Sequence, residues 1–176
     1  MKNALLTTLF ALSAAAAHAE NFKITSASWA EGGTLSNRQV ANVFGCKGDN
    51  LSPQVSWANA PEGTQSFAIT VYDPDAPTGS GWWHWTAFNI PATTGQLPEG
   101  GPLPAGAQQG RTDYGSSIFG GACPPVGSKP HRYQLTIWAL KVASLPLEAS
   151  ASGAMVGFNL GANALASATV TGFYGR

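Results

Sequence analysis

A mainly β fold in a single domain, a sandwich or a barrel, is what this sequence predicts, and three observations predict it. Short runs rich in β-branched and aromatic residues alternate with clusters of turn residues. The chain holds 21 Gly and 12 Pro but only 10% charged residues, a balance that favours many turns over long helices. Only one segment, residues 149–162, has helical character.

The first twenty residues read as a leader. Lys2 precedes an apolar run over residues 4–17, broken only by Thr7, Thr8 and Ser13. Ala17-His18-Ala19 then gives a small-x-small cleavage site before Glu20. The run falls short of the roughly 20 residues that span a bilayer. The competing reading is an uncleaved N-terminal anchor. Cleavage after Ala19 leaves residues 20–176 as one domain, exported to the periplasm or beyond. No later stretch is apolar for long enough to be a transmembrane segment.

The strands follow in order. Residues 22–29 form the first β-type run, and Gly32-Gly33 is placed to close a hairpin. Residues 54–57 give a short run with Val55 and Trp57 on one face. Residues 66–72 alternate, with Phe67, Ile69 and Val71 facing one way and Ala68, Thr70 and Tyr72 the other. Residues 83–90 are a second strong run. Residues 132–141 are a third, with Tyr133, Leu135, Ile137 and Ala139 on one side. The Ala-, Gly- and Ser-rich segment 149–162 is the helix, and residues 166–174 return to strand. Residues 91–121 lack periodicity and are long for a loop, so they are expected to border a site.

Composition excludes some functions. Losing Lys2 with the leader takes one of nine basic residues and leaves nine acidic ones, a net charge of −1. No basic stripe exists to neutralise phosphates, so nucleic acid is not expected as a partner. Two cysteines remain, Cys46 and Cys123. In an oxidising compartment they are candidates for a disulfide, the alternative being two buried thiols.

Histidine gives the sharpest functional signal. Past the leader there are two, His84 in Gly81-Trp82-Trp83-His84-Trp85 and His131 in a segment running from Cys123-Pro124-Pro125 to His131-Arg132-Tyr133. A third strand runs into Asp73-Pro74-Asp75-Ala76-Pro77, where the prolines stiffen the turn. Each block alone has an ordinary explanation: aspartates and prolines make turns, tryptophans pack cores, and a lone histidine on a strand is more often structural.

Together the three blocks, in this order and at this spacing, resemble the phosphatidylethanolamine-binding proteins, also called Raf kinase inhibitor proteins, and their exported bacterial branch in particular. The similarity runs over about residues 22–174. It implies a large central antiparallel sheet packed with a smaller sheet, and one or two short helices. It also implies a surface pocket for a small anion or phosphorylated head group. By position the pocket residues are Asp73, Asp75, Trp82, His84, Pro124, His131 and Tyr133, with Cys123 on the rim where the family often has Gly. The chain stops at Arg176, short of the C-terminal helix that borders the pocket in animal members, so a more open pocket is expected.

The chemistry suits an anion. Two imidazoles and a phenol are donors, Trp82 is an apolar wall, and the aspartates are expected to accept hydrogen bonds from the imidazoles and hold them as cations, the alternative being one protonated aspartate that donates directly. The leading function is therefore a non-enzymatic binder that needs no cofactor and no metal, and that meets a protein partner of unknown kind. An exposed sheet face leaves room for a homodimer. Kinase inhibition, known in some relatives, is not carried over to an exported chain. The alternative is a hydrolase, either acid/base or dependent on a metal held by two histidines and one aspartate. No G-x-S-x-G or His-Glu-x-x-His supports it. Sugar stacking on the tryptophans is a third reading; strand alternation allows only Trp83 and Trp85 to share a face.

Overall fold

The computed structural model describes residues 21–176, and the leader expected over residues 1–19 lies outside them. The elements are β1 (Lys23–Thr25), a 3-10 turn (Asn37–Gln39), β2 (Val55–Ala58), β3 (Ser66–Asp73), β4 (Trp82–Pro91), β5 (Gln96–Leu97), β6 (Gln108–Gln109), β7 (His131–Leu140), α1 (Gly153–Asn163) and β8 (Ala164–Tyr174). They build two antiparallel sheets. The smaller has the order β1-β2-β5, and the larger β6-β4-β3-β7-β8. The fold is mainly β with one helix, as expected.

Alternation in β3 and β7 follows the sequence. Phe67, Ile69 and Val71 join Leu135, Ile137 and Ala139 on the inner face, where they meet Val55, Trp57 and Leu97 of the small sheet. The opposite face is covered by α1, which buries Val156 and Leu160 against Ala68, Phe88 and Leu140. The helix starts where Ser152 accepts the Met155 N–H and continues into β8 with no loop between them. Gly153 opens it, because a Cβ there would run into the Trp83 ring.

Several expectations are corrected. The first strand covers Lys23–Thr25 rather than residues 22–29. Beyond it the Ser26 hydroxyl donates to the Gln54 carbonyl at 2.5 Å, and the chain turns to bury Trp29. Gly32-Gly33 closes no hairpin. Instead this segment straps the edge of β8, with Gly32 N–H on the Thr171 carbonyl at 2.8 Å and Phe173 N–H on the Gly33 carbonyl at 2.8 Å. The long irregular stretch contributes β5 and β6, each two residues long.

The largest departure is in β4. Tyr72 pairs with Trp83 but Val71 pairs with Trp85, so His84 is an extra residue in the ladder. Such a bulge breaks period-two alternation. Trp83 therefore faces the helix and packs its ring, tilted, against Tyr72 at a ring separation of 4.7 Å, while Trp85 lies in the inner core against Phe119. The sequence expectation that Trp83 and Trp85 share a face is wrong for this reason. A second irregularity lies near Asn89, whose φ of 58° is left-handed; it returns Ile90 to the inner core beside Ala87.

Ile69 sits fully buried in the central strand. Replacing it with alanine is expected to cost about 2–5 kcal/mol of unfolding free energy in urea titrations. A loss under about 1 kcal/mol would mean that the core collapses around the gap.

Candidate functional site

Topology gathers the three sequence blocks. β3 runs antiparallel to both neighbours, β4 and β7, so its end lies beside their beginnings. Asp73 closes β3, Trp82 and His84 open β4, and His131 and Tyr133 open β7. The bulge at His84 lets Trp82 and His84 face the same side as Trp85. A cavity of about 180 Å³ results, lined by Asp73, Trp82, His84, His131 and Tyr133 from the sheet. Cys123, Pro124 and Pro125 line it from one loop and Ala76, Pro77 and Thr78 from another, with Tyr114 and Phe44 completing it.

Each imidazole is held by Nδ1. His131 Nδ1–H donates to Asp73 Oδ2 at 2.8 Å, both side chains being buried. The other oxygen of Asp73 accepts the Asp75 N–H at 2.8 Å. His84 Nδ1–H donates to the Gly120 carbonyl at 2.7 Å, and Gly120 N–H in turn donates to the His84 carbonyl at 2.9 Å. Gly120 thus satisfies both the ring and the backbone of the bulged residue. A Cβ on Gly120 would strike the Tyr114 ring, so only glycine allows this approach. The Nε2 atom of each ring is left for the cavity.

Two further donors stand at the cavity. Trp82 Nε1 and Tyr133 Oη are buried and have no hydrogen-bond partner among the described residues. Burial, with the charge of Asp73 adding to it, pushes the Tyr133 phenol well above its ordinary range and the Tyr114 phenol up to about 12. Both stay protonated donors near neutral pH. Tyr114 spends its proton on the Gly121 carbonyl at 2.6 Å. Its ring contacts His84, Trp82 and Phe44 at 5.7, 5.4 and 5.8 Å.

The sequence predicts cationic imidazoles, and at His84 the structure differs. Burial holds His84 below the ordinary histidine range, outweighing the Gly120 carbonyl and the charge of Asp73. Neutral His84, with its Nδ1–H donated, presents Nε2 as an acceptor. Asp75 is also placed differently. It lies outside this cavity, on the surface, where it accepts the Arg132 Nε–H at 2.9 Å and an Nη2–H at 2.7 Å. That guanidinium holds the Asp75 carboxyl down to about 2. The two-histidine, one-aspartate metal arrangement does not assemble either. Asp73 uses both oxygens on protein donors, and no group of three His, Cys, Asp or Glu among the described residues is placed to hold a metal ion.

The rim is tied down twice. Cys46 and Cys123 form a disulfide that joins segments 77 residues apart. Arg176 donates through Nε to the Pro124 carbonyl at 2.7 Å and through Nη2 to the Phe44 carbonyl at 3.3 Å. Sequence reasoning missed Phe44, Ala76, Pro77, Thr78, Tyr114 and Pro125. Signals existed for two of them: Tyr114 belongs to the long loop, and Phe44 lies two residues before a cysteine.

Comparison with known proteins gives the family and the fold. Residues 25–175 match the phosphatidylethanolamine-binding protein family. The protein YbcL of Escherichia coli is 51% identical over 99% of this chain and 98% of its own. YbhB of the same organism is 46% identical over 86% of this chain and 99% of its own. The crystal structure of YbcL, described as a new member of the mammalian PEBP family, superposes with a TM-score of 0.86 at 53% identity, covering 88% of this chain and 98% of that one. A homolog from Chlamydia trachomatis, CT736, gives a TM-score of 0.76 at 26% identity, over 88% of this chain and 97% of that one.

His84 also has a stability signature. Its folded pKa lies below the unfolded value near 6.5, so between the two the unfolded chain binds the extra proton. Its contribution is intact above about pH 6.5 and is lost as pH falls toward the folded value. Urea unfolding at stepped pH is expected to show stability declining below about pH 6.5, with a flatter profile for His84→Gln. Parallel profiles would assign the decline to other groups.

Proposed function

The chain belongs to the phosphatidylethanolamine-binding protein family, and on that premise we propose that it is a non-enzymatic binder of phosphate or a phosphorylated head group. One observation carries the reading: Trp82 Nε1 and Tyr133 Oη are buried at the cavity without a protein acceptor. A buried donor left unmade costs about 1–3 kcal/mol, and an anion oxygen is the acceptor that recovers it.

The rest of the lining fits the same guest. His131, oriented by Asp73, directs Nε2 at the cavity; a proton there makes a charge-assisted bond to an anion oxygen. Neutral His84 accepts from the P–OH of a protonated phosphate. Pro77, Pro124, Pro125 and Phe44 exclude water around these bonds and so strengthen them. What supports binding over turnover is that Asp73 has both oxygens on protein donors and His84 is clamped by Gly120.

The location we propose is outside the cytoplasm. Residues 1–19 act as an export leader cleaved after Ala19, and residues 20–176 are the single working domain. The Cys46–Cys123 disulfide supports this, because such bonds persist in oxidising compartments.

Isothermal titration with inorganic phosphate tests the proposal. Tighter binding is expected at about pH 5.5 than at about pH 8.5, since protonation of the phosphate lowers the negative charge set beside buried Asp73 and adds a P–OH for neutral His84 to accept. Equal affinity at the two values would remove the His84 acceptor from the account. Tyr133→Phe is expected to weaken binding about tenfold to hundredfold, from about 1.5–3 kcal/mol for a hydrogen bond to a charged group. No heat at millimolar phosphate would overturn the reading.

A further inference from the structure

Residues 119–122 pass beside His84, and each main-chain group from the Phe119 carbonyl to the Ala122 carbonyl has a partner. Gly120 serves His84 with its N–H and its carbonyl. Ala122 donates its N–H to the Gln39 carbonyl at 2.9 Å and accepts the Ala41 N–H at 3.0 Å. The Gly121 carbonyl accepts the Tyr114 hydroxyl. Two groups remain, and one side chain takes both. Asn50 Oδ1 accepts the Gly121 N–H at 2.7 Å, and Asn50 Nδ2 donates to the Phe119 carbonyl at a longer 3.4 Å. Asn50 does not line the cavity that holds His84; it lines a separate hollow beside Phe119. It is anchored there by its own N–H on the Val40 carbonyl at 2.9 Å, with a left-handed φ of 56°.

One peptide unit links Asn50 to His84. The Gly120 C=O and the Gly121 N–H belong to the same planar trans amide, so they point in opposite directions. Holding that N–H on Asn50 aims the C=O at His84 Nδ1, which must then carry the ring proton. Nε2 keeps a lone pair toward the cavity. The flanking residues are both glycine, the residue that least resists turning such an amide over. Packing requires them: a Cβ on Gly120 would strike the Tyr114 ring, and one on Gly121 would strike the backbone of residues 39–41. With the amide turned over, its N–H would face Nδ1. His84 would then accept at Nδ1 and carry its proton on Nε2. The direction of this amide decides whether His84 accepts a hydrogen bond from a guest or donates one to it.

We propose that Asn50 is a specificity-determining positioning residue: by holding this amide it makes His84 an acceptor, so that the pocket selects a phosphomonoester or free phosphate, which carries a proton of its own, over a phosphodiester. The inference rests on the phosphate reading above. A monoester monoanion brings a P–OH for His84 Nε2 and further oxygens for Trp82 Nε1 and Tyr133 Oη. A diester monoanion has the same charge and no proton. Its oxygen would meet the His84 lone pair, and both would stay buried without a donor. Burial of the ring opposes the protonation that would relieve this. Sites built to bond a hydroxyl of their guest strongly reject the analogue that lacks it.

Calorimetric titration with methyl phosphate and dimethyl phosphate at about pH 6 reads the selection, since about half of the monoester keeps its P–OH there. The unaltered chain is expected to bind methyl phosphate at least about tenfold more tightly. Asn50→Gly keeps the left-handed φ and frees the amide, and the ratio is expected to fall toward one with circular dichroism unchanged. Asn50→Asp keeps an acceptor for the Gly121 N–H and is expected to keep the preference. Nitrogen-15 NMR of the ligand-free chain is expected to place the His84 proton on Nδ1, and in Asn50→Gly to place part of it on Nε2. Equal binding of the two esters by the unaltered chain, its ring proton on Nε2, an undiminished ratio in Asn50→Gly or a lost preference in Asn50→Asp overturns the inference and leaves phosphate binding standing. If neither ester binds, the phosphate reading fails and the selection with it. Should Asn50→Gly not fold, the ester ratio and the ring proton of the unaltered chain still decide.

Discussion

The extra residue at His84 is the constraint on which the site depends. Without it, the register that buries Trp85 against Phe119 would turn His84 toward the helix, and the cavity would keep only one imidazole. A bulge leaves backbone groups outside the ladder, and buried groups of that kind must find partners. Gly120 supplies them, donating its N–H to the His84 carbonyl and accepting Nδ1–H at its own carbonyl. The long loop is therefore part of the strand's hydrogen bonding, and the Tyr114 ring can lie where it does because residue 120 has no side chain. Local backbone geometry and ligand chemistry are settled by the same few contacts.

The cavity is a low-dielectric cup with its polarity confined to the floor. Asp73, 3% exposed, supplies the nearest negative charge and is fully occupied by His131 and by the Asp75 N–H. It orients that imidazole, and its charge helps to keep the Tyr133 and Tyr114 phenols protonated. The two aspartates of one short turn thus have separate roles: one orients a ring from within, while the other fixes the turn to β7 through Arg132 at the surface. Around the mouth, the disulfide and Arg176 join the loop carrying Phe44 to the loop carrying Pro124 and Pro125. A rim held this way loses little freedom when it closes on a ligand, which favours affinity.

Pocket and uncharged face lie on different parts of the large sheet and use it differently. At one end, strand termini project polar side chains into a cup. Along the outer strand and the helix, the chain presents backbone edge and apolar side chains without a charge from residue 149 to residue 175. The strap from Glu31 to Leu35 covers the half of β8 nearer the pocket and leaves the other half open.

The sequence by itself determined the β architecture, the inward faces of β3 and β7, the place of the single helix, and which three blocks carry polar chemistry at strand ends. Those follow from rules that act over a few residues: alternation, turn chemistry and capping. Only the tertiary structure decided that Trp83 and Trp85 part company, that Tyr114 and Phe44 join the cavity, that Asp75 stays outside it, and that burial keeps His84 uncharged. Each depends on partners far away in the chain, such as Gly120, 36 residues from His84, and Cys123, 77 residues from Cys46. A period-two pattern carries no mark of where a ladder will skip a residue, because the skip is stabilised by hydrogen bonds from another segment. The same holds for charge state, which burial sets and which no local run of residues encodes.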